Sequence, residues 1–247
     1  LKLLRTVHWL GLNLLKSVYN FLLARRSRPP GPVSDLPAMA AVAARARVRT
    51  DVSDHLETLF AEALLQRPRV IVELGTRGGE STFVLSQAAA GCGADLISVD
   101  LEDCSGSSAY PRWHFVKSDD VAFAKKFPGW CRRRNITPRI GLLFIDTSHE
   151  FEHTRREIQA WFPHLAPGAK VIFHDTHLRL IYFRRDRSMG IGWNNRRGVM
   201  RALEEYFSCR FDESRTFVDA RRGWLIRHWP DCNGLTILDR QAGRARR

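Results

Sequence analysis

One pattern recurs five times between residues 69 and 174: a short apolar run, broken off before it could make a helix. The runs fall at 69–74, 95–100, 113–117, 140–146 and 169–174. Val, Ile, Leu and Phe fill most of their places, so they are predicted to be strands buried on both faces. Helical stretches are expected at 80–90, 119–127 and 150–162, where Phe151, Ile158, Trp161 and Phe162 share a face. Strands alternating with helices define an α/β fold: a doubly wound, mostly parallel Rossmann-like sheet with helices on both faces. A length of 247 residues suits one such domain with additions at its ends.

The additions are legible too. A further helix is expected over 51–66, from Val52, Leu56, Leu59, Phe60, Ala63 and Leu64. Past 174 come a polar, glycine-flanked stretch (176–195), a helix (196–207) and strand-like runs near 214–219 and 223–228. The chain divides into an amphipathic basic helix (1–28), a linker opening on a Pro-rich segment (29–50), the main domain (51–230) and a basic tail (231–247). In the first of these, Leu3, Val7, Leu10, Leu14, Val18 and Leu22 recur at spacings of four and three, while Lys2, Arg5, Asn13, Lys16 and Asn20 fall elsewhere on the wheel. That stripe suits packing on the body or on a second copy in a homo-oligomer. It equally suits an anionic membrane surface, which Arg25, Arg26 and Arg28 would favour. No apolar run approaches the ~18 residues of an ordinary membrane span, and Lys16 and Arg25 argue against a cleaved signal peptide.

A net charge of +13 invites a nucleic-acid reading, but its distribution does not support one. Residues 1–50 carry nine Lys/Arg against Asp35 alone, and 221–247 carry seven Arg against two Asp, Arg244, Arg246 and Arg247 among them. Residues 51–220 are left neutral, with 23 basic and 23 acidic side chains, whereas a body gripping phosphates needs its own basic stripe. The five cysteines form no C-x-x-C pair, which argues against a zinc site or a disulfide framework and for reduced thiols in the cytoplasm, with peripheral membrane association as an extension.

The first run ends in Glu73-Leu74-Gly75-Thr76-Arg77-Gly78-Gly79, a turn whose glycines let the backbone approach a ligand. It contains neither a P-loop nor the G-x-G-x-x-G of a dinucleotide cradle. Glu73 in the strand end would repel a phosphate and welcome an ammonium. Asp100, ending the second run, can accept both hydroxyls of a ribose. Ser118-Asp119-Asp120 after the third run puts another acid at the same edge, within reach of an adenine amino group. A cationic, phosphate-free adenosine such as S-adenosylmethionine fits these acids better than NAD.

These motifs resemble those of class I S-adenosylmethionine-dependent methyltransferases. Phe144-Ile145-Asp146-Thr147-Ser148-His149, Trp161-Phe162-Pro163, Pro167-Gly168 and Phe173-His174-Asp175-Thr176 look like one branch, the sugar O-methyltransferases of the macrocin and mycinamicin type, with cephalosporin hydroxylase-like proteins as neighbours. The similarity covers roughly 50–230. It implies that Glu73, Gly75 and Gly79 hold the methionine portion, Asp100 the ribose and Asp119 the adenine, with Thr76 and Arg77 of the same turn as further cofactor-binding residues.

Asp146 ends the fourth run and His174-Asp175 the fifth, and in an open parallel sheet both ends face the ligand crevice. Two carboxylates and an imidazole there can coordinate Mg²⁺ or Mn²⁺. The resemblance implies Asp146 and Asp175 as ligands, with His174 beside them. His149 is placed to take a proton from an acceptor hydroxyl, with Asp146 as its catalytic neighbour. A helix-capping role for either Asp is the alternative. Segment 176–195 is expected to form a lid or substrate wall with Trp193 as a contact. The function expected is methyl transfer to a hydroxyl of a small molecule, a sugar or lipid-linked sugar, with metal assistance. The competing readings are a hydroxylase-like enzyme and a peripheral membrane-binding protein with a degenerate fold.

Overall fold

The computed structural model describes residues 2–24 and 36–241. The five predicted strands are present as β1 (Val70–Leu74), β2 (Asp95–Asp100), β3 (Trp113–Lys117), β4 (Ile140–Ile145) and β5 (Leu165–His174). Between them lie α4 (Glu80–Cys92), α5 (Asp120–Arg132) and α6 (Phe151–Trp161). Ahead of β1 come α1 (Lys2–Ala24), α2 (Pro37–Ala46) and α3 (Leu56–Gln66); after β5 come β6 (Ile181–Phe183), β7 (Met189–Ile191), α7 (Gly198–Phe207), β8 (Phe217–Arg221), β9 (Trp224–Trp229) and β10 (Leu235–Arg240). The main sheet runs β3-β2-β1-β4-β5-β10-β9-β8; its first five strands are parallel, and the last three are joined antiparallel.

Strand parity sorts the core into two layers. Val70, Val72 and Leu74 of β1 pack with Phe123 and Phe127 of α5, Ile158 and Trp161 of α6 and Leu203 of α7. Ile71 points the other way, among Val42 of α2, Leu56, Leu59 and Phe60 of α3 and Val84, Leu85 and Ala88 of α4. Each such fully buried side chain contributes about 1.5–3 kcal/mol. The strand order reverses between β1 and β4, which opens a crevice at their carboxyl ends. There Gly75 has a φ of +87°, and a Cβ on it would lie 2.0 Å from the carbonyl oxygen of Asp146.

Three expectations need correction. The linker placed over 29–50 contains α2: its Pro-rich start gives way at Pro37 to an alanine-rich run, Pro suits the first helical turn, and Val42 is buried. The tail placed over 231–247 contributes β10, which lies inside the sheet between β5 and β9 with Leu235, Ile237 and Leu238 buried. The basic residues 244–247 and the Pro-rich residues 29–32 lie outside the described residues. The helix expected to stop at 127 continues through Pro128 to Arg132. Proline removes the N–H that would serve the carbonyl of Ala124, and His164 Nε2 lies 3.0 Å from that oxygen and takes it up.

The N-terminal stripe does not pack on the body. α1 lies against β7 through Leu12, Lys16, Asn20 and Leu23, which are half-buried. The Asn20 side chain accepts from the Met189 N–H at 2.8 Å and donates to its carbonyl at 3.0 Å. Leu10, Leu14, Val18 and Leu22 occupy the opposite side of the helix and are 50–67% exposed. The side chains of Lys2, Leu3, Arg5 and Val7, and residues 25–28, lie outside the described residues. No helix among the described residues is long and apolar enough to cross a membrane.

Candidate active site

Four strand ends meet at the crevice. At β1 the chain enters the glycine turn, with Arg77 and Gly79 in left-handed backbone conformations at φ +42° and +77°. Asp100 closes β2 and binds that turn from the side: its Oδ2 accepts from the N–H groups of Thr76 (2.7 Å) and Arg77 (3.0 Å), and its Oδ1 from Glu102 (2.9 Å). Burial raises the Asp100 pKa, but these backbone bonds outweigh it and hold the carboxyl below its ordinary range. It stays half-exposed and charged, with lone pairs left for a further donor. The Thr76 hydroxyl is buried without a partner, and a Cβ added at Gly78 would meet only open space. The Arg77 side chain leaves the turn and clasps both oxygens of Asp51 at 2.7 and 2.8 Å.

Glu73 is not where the sequence reading put it. It shares the parity of Ile71, so its side chain enters the layer between β1 and α4 and is fully buried. Its oxygens accept from Ser81 (2.7 Å), Thr82 (2.8 Å) and Ser98 (2.5 Å), tying β1 to the start of α4 and to β2. Burial pushes its pKa up to about 7 against the pull of those hydroxyls. The carboxylate therefore positions the glycine turn from behind and does not meet a ligand's ammonium.

At β3 the two acids divide their duties. Asp119 caps α5, its Oδ1 accepting from Ala122 N–H at 2.7 Å, and is exposed at the sheet edge. Asp120 turns inward to His153 Nε2, 3.1 Å away, and His153 in turn lies 3.6 Å from the buried Glu157. Burial and the neighbouring Asp120 carboxylate drive the Glu157 pKa well above the ordinary range, while the Thr147 hydroxyl donates to its Oε1 at 2.7 Å. This second cluster fastens α5 to α6 and leaves Asp119 as the acid that faces outward.

At β4 and β5 the predicted residues do come together. His149 Nε2 lies 3.0 Å from Asp175 Oδ2, and its Nδ1 lies 3.9 Å from Asp146 Oδ1. Asp146, His149 and Asp175 each bring a donor atom within 4.8 Å of the others, and Asp175 Oδ1 is buried without a hydrogen-bond donor. Two carboxylates and an imidazole so spaced fit a divalent ion. Neither Asp caps the next helix: the N-cap of α6 is Glu150.

His174, expected as a ligand, sits behind this group. Its Nδ1 is 3.2 Å from Asp146 Oδ1 and 3.3 Å from Asp175 Oδ1. Burial opposes its charge, but the two carboxylates outweigh burial and set its pKa well above the ordinary value. His174 is not among the side chains whose donor atoms meet in this group; it braces both carboxylates from behind. The same balance raises the His149 pKa, burial being overcome by the Asp175 hydrogen bond and by the charges of Asp175 and Asp146. Asp175 is held low despite burial by His174 and His149.

Several residues that sequence reasoning passed over hold this arrangement. His149 and Asp175 both have left-handed backbones, φ +58° and +55°, a strain that surrounding structure has to sustain. The Asn195 side chain donates to the His149 carbonyl at 3.2 Å, and Gly198 comes so near that a Cβ would lie 2.3 Å from that oxygen. The His55 ring packs edge-on to His174 at 5.4 Å, its Nε2 within 2.9–3.2 Å of the Asp231 and Cys232 carbonyls. Burial lowers the His55 pKa to about 3, so it remains neutral beside its charged neighbour. Trp193 lies 6.3 Å from the His149 ring, and the segment expected to be a lid or substrate wall carries the β6–β7 hairpin.

The stretch that carries this geometry resembles known proteins. Residues 72–176, which carry the strands of the crevice, match the model of a family described as a methyltransferase domain. The wider chain shares its fold with the MycE methyltransferase of the mycinamycin biosynthetic pathway, solved with Mg, SAH and mycinamycin VI: 16% identity, TM-score 0.55, covering 86% of this chain and 55% of that one. It also shares it with the O-methyltransferase TomG from Streptomyces achromogenes, solved with SAM: 16% identity, TM-score 0.50, covering 85% and 92%. An uncharacterized protein of Sinorhizobium fredii, y4gI, is 30% identical over 129 residues, 46% of this chain and 14% of its own length.

Proposed function

We propose that the chain transfers the methyl group of S-adenosylmethionine to a hydroxyl of a small molecule, a sugar or lipid-linked sugar, with a divalent ion held by Asp146 and Asp175. The observation that carries this reading is the meeting of Asp146, His149 and Asp175 within one crevice with the half-exposed Asp100 and the glycine turn. When bound, the cofactor offers a methyl carbon on a sulfonium, and the ion lowers the pKa of an alcohol.

The chain's own residues do the rest. Asp100 and Asp119 present acceptors for ribose hydroxyls and an adenine amino group. Asp175 fixes the ring of His149 through Nε2, which leaves Nδ1 to take the proton of the acceptor hydroxyl. His174 keeps the two carboxylates apart from one another and aligned. Trp193 and the hairpin wall off the acceptor, and positioning of this kind supplies about 7–11 kcal/mol of a displacement barrier. The Mg, SAH and mycinamycin VI in the MycE structure support the metal, the cofactor and a small-molecule acceptor by analogy of fold.

The test is calorimetry with S-adenosylmethionine followed by labelled-methyl transfer across a panel of sugar acceptors, before and after chelation. Micromolar-range binding that Asp100→Ala weakens about tenfold, and transfer that returns on adding Mg²⁺ or Mn²⁺, are expected. No binding heat from the cofactor ends the reading; transfer that persists after exhaustive chelation removes the metal from it.

A further inference from the structure

Residues 49–54, between α2 and the start of α3, grip two parts of the molecule that lie about a hundred residues apart in the chain: the glycine turn and the β6–β7 hairpin. The chemistry proposed above uses none of them. On the side of the turn, Asp51 receives the Arg77 guanidinium on both oxygens, at 2.7 and 2.8 Å. Arg77 has a left-handed φ of +42°, a conformation that its surroundings have to sustain. Asp100 accepts from its N–H and Asp51 from its side chain, so the residue is fixed at both ends.

On the side of the hairpin, the same stretch holds the loop that joins β6 to β7. Arg184 Nε donates to the Thr50 carbonyl at 2.7 Å, and the Arg185 N–H donates to Asp54 Oδ2 at 2.6 Å. Arg49 Nε donates to Asp186 Oδ2 at 2.9 Å. An exposed ion pair by itself contributes little. Here Arg184 and Arg185 each make a bond that uses a backbone group, and the Arg77 clasp uses both carboxylate oxygens. The stretch is anchored in turn by buried Val52 and Ser53 and by Cys232, whose Sγ lies 3.1 Å from the Asp51 carbonyl.

We propose that Asp51 is a positioning residue and that residues 49–54 act as a strap, through which order imposed on the glycine turn by a bound cofactor reaches the β6–β7 hairpin. Binding that stiffens one segment lowers the entropy cost of ordering what is tied to it. The wall beside His149 therefore firms once the cofactor is seated, and the acceptor binds after the cofactor. This ordering rests on the methyl-transfer reading, which makes the glycine turn the cofactor's seat.

Amide hydrogen exchange of the full chain with and without S-adenosylhomocysteine, alongside calorimetry of the same ligand, tests the strap. The ligand is expected to slow exchange about fivefold or more both at the turn (75–79) and at the hairpin (181–191). Asp51→Ala should abolish the slowing at the hairpin and leave that at the turn, with affinity for the ligand lowered a few-fold. Asp51→Glu keeps the carboxylate and should keep the hairpin response. Arg49→Ala with Asp186→Ala loosens the other end, and should shrink the hairpin response at unchanged ligand affinity. A strap that only stabilised the fold would speed exchange equally with and without ligand, and the difference between the two would survive in every variant. A parent hairpin that ignores the ligand, or an Asp51→Ala hairpin that responds as the parent does, overturns the inference. Should Asp51→Ala fail to fold, a full hairpin response in the Arg49 and Asp186 double variant overturns it instead. Absence of binding heat removes the methyl-transfer reading and the strap with it, whereas heat with an unresponsive hairpin removes the strap alone.

Discussion

Two clusters in this molecule are built from the same parts, a histidine between carboxylates, and they behave as opposites. Asp146, His149 and Asp175 lie at the carboxyl ends of β4 and β5, where the strand order reverses, and two of the three hold left-handed backbones. Asp120, His153 and Glu157 lie between two helices, with Glu157 pushed toward its neutral form by burial and by Asp120. In the first, His174 and His149 hold Asp175 below its ordinary range despite burial; in the second, burial and Asp120 push Glu157 above it. Composition therefore does not separate a cluster at the crevice from a fastening between helices. Position at a strand end, and what supplies the compensating charge, do.

The sharpest way to break that distinction is to neutralise one acid in each cluster. Asp175→Asn is expected to slow methyl transfer by about 10²–10⁴-fold and, by removing the charge that faces His174 and His149, to lower the melting temperature as well, whereas Glu157→Gln should leave the rate within a small factor of the parent. Equal losses in the two variants would erase the contrast. Calorimetry with Mn²⁺ offers an independent view: one ion per chain, lost in Asp146→Ala and retained in Glu157→Gln. Two ions would show that the helix-bound cluster is a metal site as well.

Glu73 extends the comparison to a buried acid with no histidine. Its folded pKa of about 7 lies above the ordinary 4.5, so the folded state holds its proton where the unfolded chain has released it. Wild-type stability should thus fall as pH rises from about 4.5 to 7, and Glu73→Gln should remove that slope. The change in the stability difference across this window is expected to reach about 2–3 kcal/mol, read by urea denaturation at each pH. A parallel pair of curves would place the proton elsewhere. Next in size, Glu157→Ala should cost about 1–3 kcal/mol by leaving the Thr147 hydroxyl without its acceptor and a void between α5 and α6. The smallest effect is reserved for Asp119→Ala, a few-fold loss of cofactor affinity, because the exposed carboxylate contributes one hydrogen bond at the rim.

How much of this could be read from the chain alone varies with the kind of signal. The parallel strands were legible because double-sided burial writes itself as unbroken apolar runs, and Asp146, His149 and Asp175 were legible because strand ends converge. Glu73 was misread although the information was present: it is two residues from Ile71, and period-two alternation puts both on the α4 side. α2 was lost in a linker because proline at 37 looks like a breaker and is also a good first residue for a helix. β10 was hidden by the basic residues that follow it. The bracing role of His174, and the help of His55, Asn195 and Gly198, came from contacts between distant segments, for which a lone sequence carries no local mark.

The near-contact of Gly198 with the His149 carbonyl carries a consequence for how the chain could be divided. The stretch matching the methyltransferase domain ends at Thr176, yet the bond from Asn195 and the approach of Gly198 both come from beyond it, and β5 is flanked on its far side by β10. A fragment cut at that boundary would retain the glycine turn and forfeit the orientation of the His149 imidazole. Grafting this edge of the sheet onto another scaffold would have to carry α7 along as a strut.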